Sequence, residues 1–290
     1  MLSTPTGAVD GDVDWAGARA ALQVETARLT GLLRTVRRPT AHALGSWNLT
    51  ELAVHVATAW AAIPALSAGD LDGVRAAIPG VVAEDATAMI EALDQLQHLT
   101  VAAVKACWDP DLAHVADRID RDAAAYFEAC RDRSPGETHQ WMIRGVRFTQ
   151  PTFTCHLLNE TLTHARDIAH AEARSWRVDP DRARYVVEGF LLPVLARRSV
   201  DDTPGVARLQ LGIRGGRRYL AEFTEAGGAR IGLAENPGRA DAYLSADPAA
   251  MLLARWKRVP TWRILARGGL LAWGRKPWLA ARLARLAPAV

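Results

Sequence analysis

The sequence predicts two domains of different class: an α-helical bundle over residues 1–200, then a small α+β domain over residues 201–290. Two observations predict this division. Up to about Arg198 apolar residues recur at spacings of three and four in alanine-rich stretches with few β-branched runs, as in helices packed on a core. Beyond Thr203-Pro204-Gly205 apolar and polar residues alternate between glycines, as in half-buried strands. A chain of 290 residues with 49% hydrophobic side chains suits two cores.

The helices follow in order. Val13 to Val36 forms the first and stops before Pro39. The second starts at Asn48, where NLTE makes Asn48 the N-cap and Glu51 the reciprocal residue of a capping box, and it runs to about Ile63. Val81 to Trp108 is the third and Leu112 to Asp132 the fourth, closed by the turn Ser134-Pro135-Gly136. Pro151 to Ala171 is the fifth, and Pro180 to Arg198 offers one more. In the second domain Val206–Arg214, Arg217–Thr224 and Ala229–Ala234 alternate as strands of a small antiparallel sheet, with Ala242–Ala246 as a fourth. A helix then starts with Asp247 as N-cap and Pro248 at its first position, and Trp278 to Leu286 forms a last helix.

Composition narrows the class of function. The first twenty residues carry Asp10, Asp12 and Asp14 and no apolar stretch, and no uncharged apolar run reaches 18 residues, so neither a secretory leader nor a membrane span is expected. Cys107, Cys130 and Cys155 are odd in number and lack CxxC spacing, which argues against a disulfide framework or a thiolate zinc site and for a reducing cytoplasm. The net charge is only +3, yet Asp247 is the last acidic residue and nine Lys/Arg follow it. Trp256, Trp262, Trp273 and Trp278 interleave with them. That tail reads as a solvated basic face over a tryptophan-containing core, or as an attractor for phosphate, anionic lipid or an acidic small molecule. No nucleic-acid-binding motif accompanies it.

The fifth helix carries the chemistry. At about 100° per residue, Phe153, Leu157, Glu160, His164 and Ile168 share one side, so a carboxylate and an imidazole interrupt an apolar stripe. A buried charge needs a partner, either a hydrogen-bonded proton or a cation. Glu160 and His164, four apart, are neighbours able to reach one ion, and the pair alone is served equally by a buried hydrogen bond. His156 continues the spacing of four, but eight residues of helix span about 12 Å, too far for it to share an ion with His164. A third ligand must come from another helix. His55 lies in the inward stripe Leu52, His55, Val56, Ala59, Ile63 of the second helix and is the best candidate. Two histidines and one glutamate leave an open coordination position, which favours a catalytic site and suits zinc or non-haem iron alike.

These residues stand in phrases that resemble a known family. GSWNLTELAVHVA, with Trp47 eight positions before His55, resembles the first signature of the DinB-like, maleylpyruvate-isomerase-type metal-binding domain. NETLTHARDIAHA resembles its second, a Glu, a His four further on and an Asp three beyond. SADPAAMLLARWKR and RGGLLAWGRKPWLAARLARL resemble the sterol-carrier-protein-like domain that often follows it.

The resemblance implies a DinB-like four-helix bundle with a sterol-carrier-like domain. It also implies a divalent metal, usually zinc, on His55, Glu160 and His164, and the actinobacterial thiol mycothiol as co-substrate. The preference for Arg over Lys, whose only instances are Lys105, Lys257 and Lys276, fits such a GC-rich source. The family Asp falls on Asp167, which the resemblance casts as orienting His164 or pairing with an arginine. The family Gly-Arg after the C-terminal helix aligns with Lys257-Arg258, making Arg258 a candidate for holding an anionic substrate or the thiol, with a lysine in place of the glycine. The arginine that isomerase relatives place three residues before the Glu is Leu157 here, which argues against maleylpyruvate itself as substrate.

The expected protein is a metal- and thiol-dependent isomerase or S-transferase acting on a small electrophile, as monomer or homodimer. The nucleophile is borrowed, since none of the three cysteines has an activating sequence setting. The alternative is a non-catalytic carrier of an apolar ligand in the C-terminal domain.

Overall fold

A computed structural model of the chain describes residues 13–78, 93–142, 146–198, 205–225, 228–234 and 238–286. The chain divides into two compact units, Asp14–Val178 and Asp179–Val290.

The first unit contains α1 (Trp15–Leu33), α2 (Leu49–Ala68), α3 (Leu71–Ala77), α4 (Leu93–Ala106), α5 (Leu112–Ala129) and α6 (Gln150–Ala171). Four of these close a ring of contacts, α1 and α2 each packing against both α5 and α6. The expected third helix is described from Leu93 on, and its earlier part lies outside the described residues.

The capping box at Asn48 is present in both directions: Glu51 N–H donates to the Asn48 side chain at 2.9 Å, and Asn48 N–H donates to Glu51 at 2.8 Å. α2 continues beyond the expected stop at Ile63, through Pro64 to Ala68. The Pro64 ring removes one backbone donor, but Ile63, Leu66 and Ser67 are buried around it, and that packing carries the helix through. By length and composition α2 is apolar enough to cross a membrane, and most of it is buried within its own unit. It ends at Gly69, φ 68°, where Asp70 N–H bonds the Ala65 carbonyl at 2.9 Å. A side chain at Gly69 would also press on the His139 ring, 2.7 Å from where its Cβ would lie.

Two short antiparallel hairpins escaped the sequence periodicity because their strands are too short to alternate. β1 (His42–Leu44) pairs with β2 (Trp47–Asn48) just before α2, and β3 (Thr138–Gln140) pairs with β4 (Arg147–Thr149) just before α6. Each therefore feeds a helix that carries candidate ligands.

The second unit begins with the helical stretch that the sequence periodicity had joined to the bundle. This stretch is α7 (Pro180–Val186), a π-helical turn (Val187–Leu191) and α8 (Leu192–Arg198) rather than one helix. Val187, Leu192 and Leu195 share one core with the sheet residues Leu209, Leu211, Phe223 and Leu244, so this stretch packs with the strands that follow it.

The five-stranded sheet has the order β7-β6-β5-β8-β9, from β5 (Gly205–Ile213), β6 (Arg218–Thr224), β7 (Ala229–Leu233), β8 (Ala242–Ala246) and β9 (Leu270–Gly274). It is mixed rather than antiparallel, because β8 runs parallel to β5 with Leu211 opposite Leu244. Alternation has the same period in either pairing, so the sequence pattern does not distinguish them.

α9 (Pro248–Arg255) is capped by Asp247, which accepts from Ala250 N–H at 2.8 Å. α10 (Thr261–Ala266) and α11 (Leu279–Leu286) complete the unit. Two residues beyond the end of α9, Lys257 has φ 54°, and Arg258 N–H bonds the Leu253 carbonyl at 2.8 Å. The lysine thus takes the left-handed conformation that a glycine adopts without strain.

Candidate metal centre

α6 is buried on nearly every side, from Gln150 to Ala169. Two of its threonines are tied to neighbouring helices. Thr154 accepts from the Trp15 indole at 2.8 Å and contacts the Tyr126 hydroxyl at 2.6 Å, while Thr161 accepts from the Trp60 indole at 3.2 Å. The rotation of α6 is thereby fixed, and Glu160 and His164 face α2.

Glu160 Oε2 lies 3.3 Å from His55 Nε2 and 3.3 Å from His164 Nε2. The three donor atoms lie within 4.8 Å of one another and form the one such group of His, Cys, Asp or Glu among the described residues. Tetrahedral zinc with bonds of roughly 2.0–2.1 Å spaces its ligand atoms roughly 3.3 Å apart, so the donor set fits a divalent ion. The sequence-predicted ligands are thus brought together, with the third supplied by α2 from 105 residues away.

The protonation pattern shows how the cluster tolerates burial. Burial acts to raise the Glu160 carboxyl, but hydrogen bonds from His164 and His55 outweigh it and hold Glu160 well below the usual carboxylate range. Burial acts to lower His164, while Asp167 and Glu160 push the other way and raise it to about 9. His55 is lowered, by burial first and by the neighbouring His164 charge. Without an ion, an ionised Glu160 therefore sits between a charged His164 and a neutral His55.

Asp167 is buried, and its Oδ2 lies 3.3 Å from His164 Nδ1. An Nδ1–H donated to Asp167 leaves Nε2 of a neutral His164 free to ligate, the carboxylate–histidine arrangement common beside bound metals. Arg166 approaches the other Asp167 oxygen at 3.8 Å. A solvated surface pair is excluded by burial.

Both hairpins set an aromatic ring on a site helix. Trp47 of β2 packs on His55 with ring centroids 5.2 Å apart, and Trp141, just after β3, packs on His156 at 5.7 Å. His156 was set aside on distance from His164, and it is not in the ligand group. Its Nε2 nevertheless lies 3.6 Å from Glu160 Oε1, and burial pushes its ring down to about 4. The signal was present in the sequence as the repeated spacing of four, with Glu160 rather than His164 as the partner.

Arg258 lies in the second unit, where its guanidinium donates to the Trp256 carbonyl at 2.7 Å. Cys130 and Cys155 are buried, Cys107 is half-buried, and burial raises the Cys130 thiol.

No protein-family model matches the chain, and no curated protein matches it. Among solved structures it is similar to two crystal structures of the mycothiol-dependent maleylpyruvate isomerase, one of them of a mutant. Identities are 14% and 15%, the alignments cover 90% of this chain and 93% of the other, and the TM-score is 0.45 in both cases.

Proposed function

We propose that the protein is a divalent-metal enzyme whose nucleophile is a low-molecular-weight thiol, mycothiol, acting on a small anionic electrophile in cis–trans isomerisation or S-transfer. The observation that carries this reading is the convergence of His55 Nε2, Glu160 Oε2 and His164 Nε2 within 4.8 Å of one another, each histidine 3.3 Å from the carboxylate oxygen, without a fourth protein donor in the group. The thiol is what the resemblance of the two sequence signatures that hold these residues implies.

A zinc-like ion held there supplies positive charge that favours the thiolate form of a coordinated thiol near neutral pH. The chain's residues prepare the place. Glu160 is ionised and His55 neutral at physiological pH, so Glu160 offers a lone pair at once and His55 frees Nε2 by moving its one hydrogen to Nδ1, with no net loss of a proton. Asp167 accepts a hydrogen bond from Nδ1–H of His164 and turns Nε2 toward the other donors. Leu52, Val56, Leu157 and Ile168, all buried on the same two helices, make the surroundings apolar and strengthen these interactions. Arg258 is proposed to bind the anionic substrate, and a buried cysteine is a poor competitor for the nucleophile's role.

Turnover of unsaturated acids and of reactive electrophiles, each with and without mycothiol, tests the reading. Isomerisation returns a product of unchanged mass, and S-transfer adds the mass of the thiol. Turnover that needs no thiol but disappears when Cys107, Cys130 or Cys155 is changed to Ser overturns it.

A further inference from the structure

The surroundings of Glu160 point to a second set of working residues, an inference that rests on the metal-binding reading. Trp141 donates its indole N–H to Nδ1 of His156 at 3.4 Å. An indole nitrogen only donates, so Nδ1 holds the lone pair and the neutral ring carries its hydrogen on Nε2. That Nε2 faces Glu160 Oε1 at 3.6 Å, and the Asn159 side-chain amide donates to the same oxygen at 3.0 Å. The other oxygen, Oε2, faces His55 and His164. The two oxygens of one carboxylate thus have separate surroundings.

We infer that Trp141 and His156 are positioning residues that engage Oε1, so that Glu160 offers a metal only Oε2, and that keep His156 itself out of the ligand set. Both effects act on coordination number. A chelating carboxylate or a fourth protein nitrogen would fill the position that a thiol needs. Packing fixes the arrangement: Trp141 and His156 are both buried, and Trp141 is held against Phe148 with ring centroids 4.8 Å apart. Neither residue belongs to the two signatures that carry the ligands.

Cobalt(II) titration of the untagged protein tests this, because four-coordinate cobalt absorbs strongly in the visible and higher coordination absorbs weakly. His156→Leu should lose much of that absorption and bind cobalt about tenfold or more weakly, the usual effect of removing an outer-sphere partner. His156→Gln, which can accept from Trp141 and donate to Glu160, should restore both. An unchanged spectrum and affinity in His156→Leu overturns the inference. Should that variant not fold, long-range 15N–1H correlation NMR of the metal-free wild type decides: hydrogen on Nε2 of His156 supports it, and hydrogen on Nδ1 overturns it. A wild type that binds no cobalt brings down the metal reading and this inference together, whereas cobalt bound indifferently to His156 brings down only the latter.

Discussion

Asp167 Oδ2 and His164 Nδ1 face each other at 3.3 Å, while His164 Nε2 faces Glu160 at 3.3 Å. The ring therefore connects a buried carboxylate that accepts its Nδ1–H to the place proposed for the metal ion. Asp167→Asn should leave metal stoichiometry at saturation intact but weaken affinity by roughly 10–100-fold. Competition with a chromogenic chelator measures this.

Wild-type protein purified without a polyhistidine tag should hold about one divalent ion per chain by elemental analysis. The His55→Ala, His164→Ala double variant should hold almost none. Glu160→Gln should bind more weakly than wild type, because an amide offers no charge. Equal metal in wild type and double variant would remove the site.

Metal binding should depend on pH through His164. Its metal-free value of about 9 means that it carries a proton at pH 7, whereas the lowered His55 and Glu160 do not. About one proton should therefore leave per metal bound, and affinity should rise about tenfold per pH unit up to about pH 9. Calorimetry at pH 7 in two buffers of different ionisation enthalpy counts the proton.

The same group sets a stability trend in metal-free protein. Because the folded value of about 9 lies above the ordinary 6.5, the His164 contribution is complete below about pH 6.5 and is lost as pH rises through 9. The thermal midpoint should fall over that window without metal. With metal bound, the midpoint should lack that decline.

Two helix ends carry strain that a glycine would relieve. Ala173 and Lys257 sit at φ 57° and 54°, two residues beyond the ends of α6 and α9. Ala173→Gly and Lys257→Gly should each raise stability by about 0.5–1 kcal/mol, read by denaturant unfolding. For the proposed substrate role, Arg258→Ala should raise KM for an anionic substrate and leave metal content unchanged.

Much of this was legible because local rules dominated. Asn48 and Glu51 cap α2 as their spacing dictates, and the apolar stripes of α2 and α6 point His55 and Glu160 inward. What escaped depends on long-range contact. The alternation of β8 does not reveal that it lies parallel to β5, and the stop expected at about Ile63 is overridden by packing around Pro64. The partnership of Trp141 with His156 requires the β3–β4 hairpin, whose three-residue strands are too short to show a period. The helices at Pro180–Arg198 have ordinary helical spacing, and only the strands they cover show which unit owns them.

The donors come from just two helices, with His55 and Glu160 separated by 105 residues of chain. Bringing such distant points together costs on the order of 4 kcal/mol of chain entropy. Glu160 and His164, by contrast, adjoin as soon as one turn of α6 forms. On the proposed metal reading, a cation present while the chain folds would meet a two-donor site first and gain its third donor only when α2 docks. In a ring of four helices with several possible neighbours, an ion bound as proposed would favour the one pairing that completes its coordination.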